Sequence, residues 1–269
     1  MIIKYQGNKS KYLERLTYWI SKSNKSIYCE PFIGSAVIFL NLDKEFDEYH
    51  INDLEPGIIN ILNRVKNSKW EDFIQFSRNV EKKFGSIKNN KESYYLFRNK
   101  FNEQLWKSGS IEEGFATILL YNSCLNSMAR WSKNGFNQSF GNRLFLPDKT
   151  FWTNSQSKLK RAKITCLEFF EWNKTINNAS LLVLDPPYIE RPTSYQTVTN
   201  NWFDRWISWL QNNQNNHDII YTDCEHSYLP TFKMEYLRTM QNTSPNRKEQ
   251  SNGHNEVIFT NIKEEKMGF

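Results

Sequence analysis

The sequence predicts an α/β fold built on a parallel sheet, with a helical stretch inserted part-way along the chain. Three observations carry this expectation. Strand-like runs alternate with helical patterns from Ser26 past Glu55, the βαβα order that yields parallel neighbours. The stretch LLVLDPPY, residues 181 to 188, sends four apolar residues into an acid and two prolines. Such a run suits a strand covered on both faces, and it must end at Asp185 because proline supplies no ladder donor. From about Trp70 to Arg130 the pattern is helical without strands, as in WEDFIQFSRNVEKKF and EEGFATILLYNSCL.

Taken in order, a loop and helix run from Gly7 to about Ser21, followed by a strand at Ser26 to Cys29 and a loop and helix from Phe32 to Leu42. Gly34 falls in the first strand-to-helix turn, where a glycine lets backbone approach a ligand and helix amides can meet a carboxylate or phosphate. A second strand, Tyr49 to Asn52, leads into a helix from Glu55. Asp53 sits at its carboxyl end, where an acid can hold both ribose hydroxyls of a nucleoside; an N-cap for the next helix also puts an acid there. Beyond the helical stretch come strands at Lys163 to Cys166 and Leu181 to Leu184, a Trp-rich helix from Trp202 to Leu210, and strands at Asp218 to Thr222 and Glu256 to Asn261. Polar tracts near 86–91, 173–180, 211–217 and 241–255 read as loops. The strand ends near Glu30, Asp53 and Asp185 are expected to converge on one crevice, at the edge where open α/β sheets bind ligands.

At 269 residues and 39% hydrophobic content the chain can build a real core. Its mean hydropathy of -0.70 and lack of a long apolar run exclude a membrane protein, and MIIKYQGNKSKYL has no secretory core, so a cytoplasmic location is expected. Cys29, Cys124, Cys166 and Cys224 are scattered with no C-x-x-C pair, so neither a metal site nor a disulfide framework is expected. A net charge of +6 and pI near 9.0 favour a polyanionic partner. Aromatic residues make up 15% of the chain; near basic residues they can stack on unpaired bases, although most belong in a core. No feature specifies an oligomer, and a monomer is the default expectation.

Six segments in order resemble the Dam-like DNA adenine-N6 methyltransferases (D12 class, group alpha), cellular and phage, over nearly the whole chain. KYQGNKSKYL is similar to that family's N-terminal K-x-x-G-x-K segment, CEPFIGSAVIFLN to its cofactor loop, and INDLEPGIIN to its acidic second motif. RWSKNGFNQSFG resembles its DNA-reading hairpin, DPPY its catalytic motif, and NEVIFTN its closing strand. The resemblance implies a Rossmann-like, S-adenosyl-L-methionine-dependent methyltransferase core at 1–69 and 156–269, with a helical and β-hairpin target-recognition domain at 70–155. Double-stranded DNA is the implied partner.

The resemblance also implies roles for named residues. Asp185 and Pro186, stiffened by Pro187, would accept the two hydrogens on N6 of adenine so that its lone pair can face a methyl sulfonium, and Tyr188 would stack on the extruded base. Asp53 would hold the donor's ribose. Glu30, Phe32 and Gly34 would surround its methionine part, while Tyr5, Gly7 and Lys9 close over it and Glu168 with Phe169 lie beside its adenine. In the hairpin, Asn126, Arg130, Lys133, Asn137, Ser139 and Arg143 would meet DNA, with Arg130 reading a guanine; Arg191 would take phosphates flanking the extruded base. GATC is the implied site. The hairpin departs from the family's N-x-P-F-G-[KR] in its Ser139 and Asn142, and Thr222-Asp223 stands where many relatives have Ser-Asn. Ala36 replaces a loop glycine, a change that is tolerated where the position does not need positive φ. Other readings are an RNA or other exocyclic-amine methyltransferase, for which the acid before PPY is less apt than Ser or Asn, and a catalytically silent DNA-binding regulator, which intact Asp185, Tyr188 and Asp53 disfavour.

Overall fold

A computed structural model describes residues 1–5, 7–107, 109–188, 200–240 and 254–263; Arg191 lies outside them. In chain order the elements are α1 (Leu13–Lys22), β1 (Ile27–Glu30), α2 (Val37–Leu40), β2 (Glu48–Asn52), α3 (Pro56–Asn67), α4 (Trp70–Phe84), α5 (Lys91–Asn102), α6 (Ile111–Ser123), β3 (Trp131–Ser132), β4 (Gly135–Phe136), α7 (Lys149–Lys160), β5 (Ala162–Thr165), α8 (Phe169–Asn173), β6 (Leu181–Leu184), α9 (Asn200–Asn213), β7 (Asp218–Cys224), β8 (Lys233–Met240) and β9 (His254–Thr260). Among the described residues no helix is long and apolar enough to cross a membrane.

Seven strands form one sheet in the order β5-β2-β1-β6-β7-β9-β8. β1 runs parallel to β2 and to β6, and β6 parallel to β7. Every residue of β1 and of β6 is buried, as apolar strands covered on both faces must be. Because these strands share a direction, Glu30, Asp53 and Asp185 all lie at carboxyl ends. The parallel pairing stops at β7, whose other neighbour β9 is antiparallel to it, and β8 pairs antiparallel with β9. No sequence feature anticipated β8. It is an edge strand with one face to water, and Met234 and Tyr236 are 45% and 56% exposed, so its apolar residues do not form the continuous run of a core strand.

The chain divides into two compact units, one of residues 1–11, 33–41 and 52–168, the other of 12–32, 42–51 and 169–269. The first is mostly helical. Its centre is α6, buried without a break from Gly114 to Ser123, an apolar-all-round pattern that belongs inside a bundle. Phe73 of α4 stacks on Trp152 of α7 at 5.1 Å, with Phe115 of α6 against both. α7 runs through residue 155, where the sequence suggested the insertion ends. The N-terminal segment is tied to α6 by Asn122, whose side chain donates to the Ile2 carbonyl at 3.0 Å and accepts the Lys4 amide at 2.8 Å. The second unit holds β1, most of β2, and β6 to β9, while β5 belongs to the first. Trp206 of α9 is fully buried against Tyr221 of β7, so the tryptophan spacing of that helix marks its sheet-facing side.

Candidate active site

In the first unit the acid after β2 is fixed by backbone amides. Asp53 accepts the Gly34 N–H at 2.8 Å on Oδ2 and the Glu55 N–H at 2.9 Å on Oδ1. The helix-cap alternative for Asp53 is corrected here: α3 is capped by Glu55, whose carboxylate accepts from Gly57 at 3.2 Å, with Pro56 opening the helix. Asp53 is thus a loop-bracing acid rather than a cap. Burial pushes its carboxyl up to about 6, against the lowering pull of the Glu55 and Gly34 amides.

The loop that Asp53 braces holds two left-handed residues, Gly34 at φ 48° and Ala36 at φ 57°. The condition under which Ala36 would replace glycine without strain is therefore not met, and the alanine costs roughly 1 kcal/mol of backbone strain. The Tyr5 ring lies 3.6 Å from where a side chain on Gly34 would begin, and it stacks on Tyr121 of α6 with ring centres 6.2 Å apart. Lys9 is buried and donates to the carbonyl of Gly7, itself at φ 75°. Asn52 clamps the segment before Glu168, accepting from Thr165 and Leu167 and donating to the Leu167 carbonyl at 2.8 to 2.9 Å. Glu168 is half-buried. Tyr5, Gly34 and Asp53 are thus in one contiguous set.

The second unit carries the DPPY segment. Asp185 follows β6 directly and accepts the Thr222 hydroxyl at 2.7 Å on Oδ1. Thr222 is buried on β7 at the next register step, since Leu184 pairs with Tyr221. Pro186 is buried, while Pro187 and Tyr188 are half-buried. The Tyr188 hydroxyl donates to Glu256 of β9. Burial, and after it the negative charges of Asp185 and Glu256, push the phenol far above its usual range, so it stays a donor. Glu30 is buried and accepts the Tyr28 hydroxyl at 2.6 Å. Phe32 stacks on Phe169 with centres 5.4 Å apart and planes at 14°, and Phe169 also packs on Trp206 and Trp209 at 4.8 and 4.9 Å.

Thr222→Val tests the Asp185 contact, because it keeps shape and removes the hydroxyl. On the activity that the family resemblance implies, turnover should fall about tenfold with little change in apparent DNA affinity, the cost of one hydrogen bond to a charged group. Steady-state rates across DNA concentrations check this; an unchanged rate would make the contact incidental.

The hairpin residues form the third set, within the first unit. β3 and β4 pair antiparallel, Trp131 with Phe136 and Ser132 with Gly135, leaving exposed Lys133 in the turn. One step outside, Asn137 N–H donates to the Arg130 carbonyl at 2.9 Å and Arg130 Nε donates to Asn137 Oδ1 at 3.0 Å. Asn126 is exposed and left-handed at φ 56°, a conformation asparagine tolerates better than most residues. Exposed Ser139 uses its carbonyl to accept the Leu125 N–H. Arg143 is half-buried and donates to Ser127 Oγ at 2.8 Å. A side chain on Gly141 would meet the Cys124 carbonyl oxygen at 2.4 Å, so only glycine lets the hairpin's return strand lie there.

Of the residues bonded to the DPPY segment, Thr222 and Glu256 were not singled out as site residues from sequence. Thr222 stood out only as a departure from relatives, and Glu256 not at all, although an acid inside the apolar strand NEVIFT is a recognisable signal.

A model of the D12 class N6 adenine-specific DNA methyltransferases matches residues 5–266. Among individual proteins, the DNA adenine methylase of Serratia marcescens is 26% identical over 190 residues, 69% of this chain and 66% of that one. The type II methyltransferase M.MjaIII of Methanocaldococcus jannaschii is 28% identical over 217 residues, covering 75% and 74% of the two chains. The DNA adenine methylase of Haemophilus influenzae is 28% identical over 210 residues, covering 75% and 68%. The chain thus spans just under two thirds of the Serratia protein. With the matched region running through the loop, the hairpin and DPPY alike, the chain belongs to the D12 class N6 adenine-specific DNA methyltransferases.

Proposed function

We propose that the protein transfers a methyl group from S-adenosylmethionine to N6 of an adenine extruded from duplex DNA at a short site, with GATC the first candidate. The observation that carries this reading is the Asp185 carboxylate, fixed between β6 and two prolines and gripped on one oxygen by Thr222. On this reading the carboxylate and the Pro186 carbonyl, both held rigidly, would accept the two N6 hydrogens. An exocyclic amine is a poor nucleophile while its lone pair is delocalised into the ring; two acceptors holding its hydrogens let the nitrogen turn tetrahedral. Tyr188 offers a ring face for the extruded base.

The residues present fit the donor. Bound S-adenosylmethionine supplies an electrophilic methyl on a sulfonium. Asp53 would hold the ribose, since its fixed carboxylate retains acceptor capacity beyond the two amides. In the first unit Gly34, Glu168, Tyr5, Gly7 and Lys9 are assigned to the donor with Asp53, and in the second Glu30 and Phe32 are assigned to its methionine part and Phe169 to its adenine.

Residues 70–155 we assign to DNA recognition, with the remainder as the catalytic domain. Arg130 is exposed and held through Nε on Asn137, and its two terminal nitrogens are assigned to a bidentate pair with guanine O6 and N7. Lys133 and Arg143 are assigned to phosphates, and Asn126 and Ser139 to the hairpin's DNA-facing surface. Arg130→Ala should cost about 1–3 kcal/mol on the preferred site and relax preference at one position. Lys133→Ala should weaken binding to every sequence and lower the salt slope by roughly one. Methylating random duplex DNA and sequencing the modified adenines tests the function and yields the site; methylation of RNA alone would overturn it. A panel of single-base variants then tests Arg130, and a uniform loss across the panel would remove it as a reader.

A further inference from the structure

Glu256 is an acid buried on β9, a strand flanked on both sides by neighbours. Burying a carboxylate is costly unless donors surround it, and here they divide between its two oxygens. Oε1 accepts the Tyr188 hydroxyl; Oε2 accepts the Tyr12 hydroxyl at 2.9 Å and Arg238 Nε at 3.1 Å. Arg238 also lies over the Tyr12 ring, 5.7 Å from its centre. One oxygen therefore serves the scaffold, and the other serves the tyrosine of DPPY.

We infer that Glu256 is a positioning residue for methyl transfer, which holds Tyr188 by its hydroxyl so that the ring's face is set before the base arrives. This rests on the functional reading above. The face that a ring on the short segment after two prolines presents is set by its side-chain torsions. A base stacked on a tilted ring would carry N6 away from the Asp185 and Pro186 acceptors, and misplacement of that order is expensive in rate. Pinning the ring's far end by a charge-assisted bond fixes those torsions in advance.

The split between oxygens makes Glu256→Gln an informative variant. An amide has one acceptor oxygen, which Tyr12 and Arg238 will claim. Its NH2 then faces Tyr188, replacing an acceptor with a donor. Measured on the full chain with a duplex bearing the site found by sequencing, Glu256→Gln should lower kcat about tenfold or more. KM for DNA and donor affinity should stay within about twofold, and Tyr188→Phe should show the same split. The double variant should be no worse than the slower single one, as expected when one interaction is removed twice.

With 2-aminopurine in place of the target adenine, stacking on Tyr188 quenches the extruded base; Glu256→Gln should raise its emission. Tyr12→Phe, which touches only the scaffold oxygen, should keep kcat within about threefold. Equal losses in Tyr12→Phe and Glu256→Gln, independent multiplication of the Tyr188→Phe and Glu256→Gln effects, or a Glu256→Gln rate within twofold of wild type would each overturn the inference. A lowered Tm with unchanged 2-aminopurine emission would do so too, by reducing Glu256 to a structural acid. Failure of the wild-type protein to methylate any adenine would instead overturn the functional reading, and this inference with it.

Discussion

Asp185→Ala should reduce methyl transfer by at least about 10³-fold while leaving donor binding within about twofold. The expectation follows from what the carboxylate is placed to do. One oxygen is held by Thr222 at 2.7 Å, so the second has a fixed direction relative to the Pro186 carbonyl. On the proposed mechanism, removing the carboxylate deletes one of the two acceptors that would draw N6 out of conjugation. The donor loses little, because its ribose is assigned to Asp53. Asp185→Asn is the finer test: the Thr222 hydroxyl can bond an amide oxygen, but the NH2 then faces the N6 hydrogens, donor against donor. A loss of about 10²-fold is expected there. Single-turnover methylation at saturating donor, with calorimetry for donor binding, measures both, and near-normal turnover of Asp185→Ala would sink the mechanism.

How much of this was legible in the sequence depended on how strongly local chemistry constrains each element. β6 was readable because a strand buried on both faces is a continuous apolar run and two prolines fix where it stops, and β1 and β2 because they alternate with helical patterns in βαβα order. β8 was not, since an edge strand needs only one apolar face. Asp53 was found at its strand end, yet its bonding was not foreseen: whether an acid caps a helix or braces a preceding loop depends on a two-residue difference in where the helix starts, and Glu55 takes the cap. The Ala36 conformation was invisible because an alanine gives no hint of φ 57°; only the fold forces it. Tyr188 was named from its motif, but its partner lies 68 residues away on another strand, a pairing no local pattern encodes.

Asp53→Ala should weaken S-adenosylmethionine binding by about 1.5–3 kcal/mol, the worth of a hydrogen bond to a charged acceptor, with DNA affinity unchanged. The pH dependence gives a second handle. Burial lifts the carboxyl from 3.8 to about 6, so it ionises only as pH rises through that value. The ionised form has the full set of acceptor sites for two ribose hydroxyls; protonation turns one into a donor. Donor affinity should therefore fall as pH drops from 7 to about 5, through the raised pKa, and Asp53→Asn should flatten that slope. Stability runs the other way. A folded-state pKa above the unfolded one means the fold favours the protonated acid, so its contribution is fully present below 3.8 and is lost as pH rises through about 6. Asp53→Asn carries no charge but keeps an acceptor for only one of the two loop amides, so its Tm should depend less on pH between about 5 and 7 than that of wild type. Calorimetric donor titrations at three pH values and a melting curve for each variant separate the roles: unchanged donor affinity with a lowered Tm would make Asp53 a loop brace alone, and the ribose assignment would have to move to another acid.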